Sequence, residues 1–204
     1  MVPANVDKIL DAVLDVAGER GWTGLTIDMV AVRAGVSVSD VTALYPDKRA
    51  ILNGLADRFE RAVDAAVDAE ARDPSLPVPE RLFDVIMTRF ELLQEHRAGH
   101  TAIFGAARLD PCMALPGLVR LPSAMSAVLR QTGLGDRGPL GCLRRQVLAG
   151  LYISIVQVWL KDESDDLGPT MAALDSRLRQ LDEIVASTPM GRKRPRKERG
   201  LSGD

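Results

Sequence analysis

Apolar residues near the start of the chain recur with the period of an α-helix. Between Val6 and Ala17 they fall at positions 6, 9, 10, 13, 14 and 17, the i, i+3, i+4, i+7 spacing of one buried helical face. The same period returns along most of the 204 residues, in segments that glycine, proline and capping residues separate. The pattern predicts an all-α fold of about nine helices, with no clear strand.

Turn and capping residues set the expected helix boundaries. The first helix ends near Gly21, and the others are predicted over residues 27–34, 38–44, 48–71, 80–96, 101–109, 121–133, 140–161 and 169–187. Residues 152–158 are rich in β-formers, but no turn signal interrupts the surrounding stretch, so a buried helix is the better interpretation. The last helix carries a seam that we expect to pack on another helix, as a candidate partner surface: Met171, Leu174, Leu178, Leu181 and Val185.

The composition is that of an ordinary globular protein. Hydrophobic residues make up 46% of the chain and charged residues 26%, which allows a sizeable core. The two cysteines, Cys112 and Cys142, are far apart, which argues against a disulfide framework or a cysteine-based zinc site. The longest apolar stretch, residues 146–160, is short for a bilayer span, and no secretory signal is evident. We expect a cytoplasmic protein with no membrane span.

Charge is distributed unevenly along the chain. Residues 1–189 carry 20 basic and 26 acidic side chains, whereas residues 190–204 carry 6 basic and 2 acidic ones. The end of the chain also lacks apolar periodicity, so residues 189–204 are predicted to be a basic, disordered tail. Such a tail either attracts phosphates or anionic lipids, or only improves solubility.

Two short predicted helices meet at Ala34-Gly35-Val36-Ser37. Gly35 tolerates a positive φ in the turn, Thr26 and Ser37 cap the two helices, and Pro46 and Asp47 separate them from the next one. This is the pattern of a helix-turn-helix, a unit that offers its second helix to the major groove of DNA.

The surrounding residues sharpen this interpretation. Residues spread from Ile9 to Leu52 match a known pattern in register. They are Gly21-Trp22, Leu25-Thr26-Ile27, Val30-Ala31, the turn itself, Leu44-Tyr45 and Lys48. In these residues the chain resembles the TetR family of transcriptional regulators. The resemblance implies a ligand-responsive homodimer that acts as a repressor and binds DNA through residues 1–47. Residues 48–188 would form a helical core that binds the ligand and dimerises through its last two helices.

The same resemblance implies which residues meet DNA. Thr26 and Lys48 match positions at helix N-termini that contact the backbone, where free N–H groups favour phosphate. The exposed residues from Ser37 to Thr42 match the recognition helix. The predicted DNA-binding residues are Thr26, Arg33, Ser37, Val38, Ser39, Asp40, Thr42 and Lys48.

Several residues depart from the family pattern. Ser39 and Thr42 stand where a glycine and a tyrosine are common, and Leu44 stands where a polar or aromatic phosphate contact is frequent. Residues 37–45 contain no lysine or arginine, and residues 1–60 carry 6 basic against 9 acidic side chains. Because phosphate neutralisation supplies much of the affinity for DNA, two hypotheses stay open: a regulator with few contacts, or a TetR-like fold that no longer binds DNA.

A second resemblance favours the latter hypothesis. Residues 150–178 contain Trp159-Leu160, then Asp162, Ser164 and Asp166, and later Leu174. Here the chain is similar to the lipid-binding accessory proteins of ubiquinone biosynthesis, which share the TetR fold. The alternative function is therefore lipid binding in support of that pathway, without DNA.

Apolar residues on several later helices are candidates for a ligand pocket: Phe83, Met87, Phe90, Phe104, Met125, Tyr152, Val156 and Trp159. The alternative is that they form plain core. A ligand there is expected to be small and apolar, elongated or ring-like, and Tyr152 or Trp159 could orient it by a hydrogen bond.

The remaining polar patterns predict no catalysis. His96 and His100 have the spacing of a metal pair, but a surface helix end is the better account. The glycine-rich residues 133–141 lack the ending of a phosphate loop and are interpreted as an interhelical loop. No nucleophile–base pair is evident, so we expect no enzyme, no cofactor and no metal.

Overall fold

The computed structural model describes residues 4–187, and all regular elements in that range are helical. Nine α-helices occur there: α1 (Ala4–Gly24), α2 (Ile27–Ala34), α3 (Val38–Leu44), α4 (Lys48–Ala66), α5 (Val78–Glu95), α6 (Arg97–Leu109), α7 (Pro111–Gln131), α8 (Gly138–Trp159) and α9 (Gly168–Ser187). A 3₁₀ turn at Ala69–Arg72 lies between α4 and α5. The all-α prediction is confirmed, and the predicted tail at residues 189–204 lies outside the described part of the chain.

Side-chain caps define the helices around the turn. Thr26 and Asp47 each accept a hydrogen bond from the backbone N–H three residues further on, at 3.4 and 2.7 Å. Gly35 ends α2 with a φ of 68°, a left-handed conformation that glycine adopts without strain. Ser37 begins α3 in a capping box with Asp40. The caps predicted at Thr26, Gly35, Ser37 and Asp47 are confirmed, and the structure adds a hydrogen bond from the backbone N–H of Ser37 to Asp40.

The buried residues form two hydrophobic clusters. The first joins α1, α2 and α3 to the start of α4, and we call these helices the head; Leu10, Val13 and Trp22 lie at its centre. The second joins α5, α7, α8 and α9 around Phe90 and Trp159, and we call it the core. Helix α6 contributes to both, since Ile103 packs on the head and Phe104 on the core. Helix α6 is therefore positioned to connect the two clusters.

The contact between α1 and α6 depends on two glycines. A Cβ atom added to Gly99 would lie 2.4 Å from the carbonyl oxygen of Leu14, and one added to Gly18 would lie 2.9 Å from the Cβ of Ala98. The two helix backbones thus touch, which larger residues at these positions would prevent. The head is held against α6 by close packing.

Some helix boundaries differ from the prediction. Helix α7 begins at Pro111, ten residues before the expected start, and it includes Pro122. Proline at a helix start is well tolerated, but interior proline normally breaks a helix; here the apolar face with Met125 and Val128, both fully buried, outweighs that tendency. Helix α4 ends at Ala66 rather than near residue 71, where the 3₁₀ turn takes over.

The seam of α9 packs inside the chain. Leu174 is fully buried and Leu178 is 3% exposed, and both belong to the core. The prediction that the seam packs on another helix is confirmed, with α5 and α8 as its neighbours, whereas Leu174 and Leu178 are too buried to serve as a partner surface. Only the end of the seam, at Val185, is exposed by half.

A buried carboxylate fixes the connection between α8 and α9. Asp162 accepts hydrogen bonds from the backbone N–H and hydroxyl of Ser164, at 3.0 and 2.5 Å, and from the same groups of Thr170, at 3.0 and 2.6 Å. Burial opposes ionisation, but the four donors outweigh it and lower the pKa of Asp162 to about 2. Asp162 thereby holds the first turn of α9 against the loop.

Replacing Asp162 with asparagine should cost about 2–3 kcal/mol of unfolding free energy at neutral pH, because the amide would turn N–H groups toward existing donors. The lowered pKa contributes stability that is complete above the unfolded value, near pH 4, and is lost as the pH falls toward 2. The difference between the two proteins should therefore shrink below about pH 4. Urea unfolding of both proteins, at neutral pH and below about pH 4, measures this difference in unfolding free energy.

The matched control is Asp165→Asn, three residues away and exposed. It should change stability by no more than about 0.5 kcal/mol. Equal effects of the two substitutions would contradict the role given to Asp162.

Candidate functional site

Helix α3 has one buried face and one exposed face. Val41 is fully buried and Tyr45, directly after the helix, is 8% exposed. The ring of Tyr45 fits against Gly54 of α4, where an added Cβ would lie 2.6 Å from it. Of the eight predicted DNA-binding residues, those exposed on α3 and at its cap are Ser37, Val38, Ser39 and Asp40. The buried face of α3 thus packs against its neighbours in the chain, and the first turn of α3 is exposed to solvent.

The first turn of α3 carries its own negative charge. The hydroxyl of Ser37 donates to Asp40 at 2.6 Å and lies 2.8 Å from the hydroxyl of Ser39. These bonds from the Ser37 hydroxyl and backbone N–H lower the pKa of Asp40 below its ordinary value. Thr42 is half-buried and donates to the carbonyl oxygens of Val38 and Ser39. The exposed surface of α3 thus offers hydroxyl groups and one carboxylate.

The two predicted basic contacts are engaged within the chain. Arg33 donates to both carboxylate oxygens of Glu19, at 2.8 and 2.7 Å. Lys48 donates to the carbonyl oxygens of Trp22 and Thr23, at 2.9 and 3.2 Å, and so closes the end of α1. Thr26 is exposed, but its hydroxyl is used as the cap of α2. These three side chains therefore stabilise the head through contacts within the chain.

A cavity of about 980 Å³ lies between α4, α5, α6, α7 and α8. Its apolar lining includes Leu52, Leu55, Phe59, Leu93, Ile103, Phe104, Met113, Leu118, Leu121, Tyr152, Ile153 and Val156. Its charged lining consists of Glu60, Asp64, Arg89, Arg108, Arg120 and Arg130. The volume is at the upper end of the usual range for small-molecule sites.

Three of the eight predicted pocket residues line this cavity: Phe104, Tyr152 and Val156. Met87, Phe90, Met125 and Trp159 lie in the core instead, and Phe83 packs against its edge. The indole N–H of Trp159 donates to Gln94 at 3.1 Å, so it is not directed at a ligand. The structure thus brings only part of the predicted set together.

A buried ion pair forms one wall of the cavity. Arg89 of α5 is 3% exposed and donates to both carboxylate oxygens of Glu60 on α4, at 3.0 and 2.6 Å. Its guanidinium also lies 5.0 and 5.4 Å from the ring centroids of Phe59 and Tyr152. Burial disfavours the charged form, but Tyr152 and Glu60 outweigh it, so the pKa of Arg89 lies above its ordinary value.

His100 is a cavity residue rather than a surface helix end, which corrects the prediction. It lines the cavity, and its ring meets that of Phe59 edge-on with 6.4 Å between centroids. Burial, together with the nearby His96 and Arg58, lowers the pKa of His100 to about 4. Its imidazole is therefore neutral at physiological pH. Within residues 4–187 no cluster of three or more potential metal ligands includes it.

Charged contacts connect the helix-turn-helix to the cavity helices. Asp15 of α1 lies 3.7 Å from Arg33 of α2 and 3.7 Å from His96 of α6. Asp11, one turn earlier, lies 3.6 Å from His96 and 2.5 Å from Arg58 of α4. We call these five residues the polar junction. The polar junction thus joins α4 and α6, two helices that also line the cavity, to α1 and α2.

Two solved transcriptional regulators of the TetR type have a similar arrangement of helices. A TetR regulator from Nitrosomonas europaea superposes with a TM-score of 0.71 at 18% identity, over 87% of this chain and 98% of that one. One from Rhodococcus sp. RHA1 gives a TM-score of 0.62 at 15% identity, over 91% and 97%. The chain has the TetR fold.

Another structure with the TetR fold is the multidrug binding protein EbrR, solved in complex with imidazole. It matches with a TM-score of 0.56 at 20% identity, over 88% of this chain and 95% of EbrR. No curated protein matches the chain by sequence.

One family model, COQ9, matches residues 143–185, about a fifth of the chain. The matched part of the TetR fold runs from α8 through the Asp162 loop into α9, and it includes Tyr152 and Val156 of the cavity. This match supports the second resemblance noted in the sequence. No helix in the described part of the chain is both long and apolar enough to cross a bilayer.

Most cavity residues were missed because they lie on helices to which the sequence assigned other roles. Leu52, Leu55 and Phe59 follow one face of α4, a helix from which the sequence analysis names no pocket residue. Their spacing of three and four residues was visible, but it does not tell whether a face packs against a neighbour or lines a space.

Proposed function

We propose that the protein is a DNA-binding regulator that responds to an apolar ligand and acts as a homodimer. The observation that carries this proposal is the exposed first turn of α3. Val41 and Tyr45 anchor the helix below, while Ser37 and Ser39 are open to solvent. A short helix fixed in this way fits the major groove of DNA.

The electrostatics of the head favour recognition with few phosphate contacts. Arg33, Lys48 and Arg58 already bind partners within the chain, and the cap of α3 is acidic. The affinity for DNA should therefore depend more on contacts of helix N-termini and hydroxyl groups with the DNA than on the release of counterions. A shallow dependence on salt follows from this charge distribution.

Dimerisation through the last two helices is part of the proposal. Leu140, Leu143 and Val147 of α8 are 45%, 53% and 39% exposed, and Ile184 of α9 is 61% exposed. Exposed apolar side chains of this size on neighbouring helices are typical of protein interfaces. A twofold dimer would present two recognition helices to half-sites about 34–36 Å apart.

The ligand would act through the cavity and the polar junction. Occupation of the cavity moves or restrains α4 and α6, which touch the head at Arg58 and His96. The ligand then favours one spacing of the two heads over another. EbrR, with the same fold, is described as a multidrug binding protein, which supports a ligand-binding role for this chain.

Substitution of Ser39 tests the role of α3. We expect Ser39→Ala to weaken binding to the DNA upstream of the gene by about tenfold and to change the preferred sequence. Fluorescence anisotropy between about 50 and 200 mM salt measures both effects. Ser176→Ala, an exposed site on α9, is the matched control and should leave binding unchanged. Identical behaviour of the two variants would argue against recognition by α3.

A second candidate function is lipid binding in support of ubiquinone biosynthesis, without DNA. The COQ9 match over residues 143–185 favours it, together with the engaged basic residues of the head. Organic extraction of the purified protein followed by mass spectrometry separates the candidates. A copurifying long-chain lipid without sequence-specific DNA binding would support the second function and remove the first.

A further inference from the structure

Five of the six charged side chains around the cavity have partners within the chain. Arg89 holds Glu60, Arg120 holds Asp57, and Arg130 lies 3.1 Å from Asp136. The fourth lining arginine, Arg108, is exposed at the end of α6 and therefore remains in contact with water. Asp64 is exposed and accepts from Gln131 at 2.6 Å. Among the described residues, Arg108 is therefore the one lining charge without a partner, and it is exposed to solvent.

A charged group of a ligand would therefore be costly in this interior. Transfer of an ion from water to an apolar site costs several kcal/mol unless a counter-ion compensates it. Competition with Glu60 for Arg89 would leave one of the two partners without its ion pair. Both considerations disfavour a carboxylate or ammonium group buried in the interior, away from Arg108.

His100 supplies the cavity with an uncharged polar group. Its neutral imidazole has one N–H donor and one nitrogen acceptor. Among the described residues, no hydrogen bond to this side chain is found, and its only ring contact is with Phe59. Tyr152, by contrast, is already engaged with Arg89. His100 is thus available to a ligand, as are the lining side chains Asn53, Ser123 and Gln157, and it is the one packed against an aromatic ring of the apolar wall.

The size of the cavity sets the scale of the ligand. A volume of about 980 Å³ corresponds to roughly thirty water molecules in the liquid. This space extends along α4, α6, α7 and α8, and aliphatic and aromatic side chains form most of its surface. A molecule with one long apolar part fills it better than a small polar one.

The geometry points to an uncharged, largely apolar ligand with a single hydrogen-bonding end group, a hydroxyl or carbonyl that pairs with the imidazole of His100. This inference deepens the proposed function, since it names the class of effector to which the regulator would respond. Binding itself involves no DNA. Its test therefore gives a result whether or not the protein binds DNA.

Displacement of Nile red, an uncharged dye that fluoresces in apolar sites, measures the preference of the full-length protein. Three competitors with the same alkyl chain are compared, each at concentrations below those at which it aggregates: tetradecanol, tetradecanoic acid and tetradecyltrimethylammonium. We expect the alcohol to displace the dye at a concentration at least about tenfold lower than either ion does. Equal or tighter binding of an ion, or no binding of the dye, would overturn the proposal.

The variant His100→Leu tests the end group. It should weaken the binding of tetradecanol by about fivefold or more while the affinity for Nile red stays the same, which also shows that the cavity is intact. Arg108→Gln is the control and should leave tetradecanol binding unchanged. If His100→Leu binds the alcohol as well as the wild type does, or if Arg108→Gln lowers its affinity, the assignment to His100 is wrong.

Discussion

Replacing Glu60 with glutamine should lower the free energy of unfolding by about 2–4 kcal/mol. The guanidinium of Arg89 is 3% exposed, and its Nε has no hydrogen-bond partner in the described part of the chain, so Glu60 is its principal compensation. Glu60 itself is 32% exposed, which places the expected cost below that of a fully buried pair. Urea unfolding at neutral pH measures the loss.

The double variant Glu60→Gln, Arg89→Met should recover most of that stability, because it removes the unpaired charge together with its partner. Glu91→Gln, an exposed change on α5, serves as the control and should stay within about 0.5 kcal/mol of the wild type. The single variant Arg89→Met completes the comparison. If the losses of unfolding free energy of the two single variants simply add up in the double variant, Arg89 and Glu60 do not stabilise the cavity wall as a pair.

Replacing Gly99 with alanine should destabilise the protein by at least about 2 kcal/mol. The new Cβ would meet the carbonyl oxygen of Leu14 at 2.4 Å and its Cα at 2.8 Å. Both are backbone atoms of α1, which cannot move aside as a flexible side chain can. The expected consequence is a displaced head, and hydrogen exchange should show weaker protection of α1 as well as lower global stability.

Gly105→Ala provides a matched comparison on the same helix. An added Cβ at Gly105 meets nothing within 4 Å, and alanine is the better helix former by about 1 kcal/mol. This variant should therefore be as stable as the wild type or more stable. If both glycine variants behave alike, the close contact between α1 and α6 is not what holds the head.

The helix-turn-helix could be predicted from the sequence because its signals are local. Thr26, Gly35 and Ser37 act on backbone groups within three or four residues, so their roles follow from position alone. The capping role of Asp40 belongs to the same class, since it stands three residues after Ser37, although the sequence interpretation did not use it.

The cavity could be predicted only in part because it depends on which helix faces meet. Phe90 and Arg89 are neighbours in sequence, yet Phe90 is fully buried in the core and Arg89 lines the cavity. Periodicity marks an apolar face but does not show how far apart two such faces lie. His100 illustrates this most clearly, since only the packing of α4 against α6 places it beside Phe59.

The proposed function likewise rests on two features with different origins. The exposed turn of α3 follows from local sequence, whereas the polar junction follows from tertiary packing of α1, α2, α4 and α6. His96 lies between Asp11 and Asp15 at 3.6 and 3.7 Å, so it connects α6 to both turns of α1. These contacts connect α4 and α6, which also line the cavity, to α1 and α2 of the helix-turn-helix.

The ratio of affinities for the upstream DNA and for a shuffled duplex of equal length and composition tests the central claim most directly. Anisotropy titrations of the full-length protein at about 150 mM salt would give both values. The account predicts that the upstream DNA binds at least about a hundredfold more tightly, and that Ser39→Ala narrows the ratio. Equal affinities for the two duplexes would contradict recognition of DNA by α3.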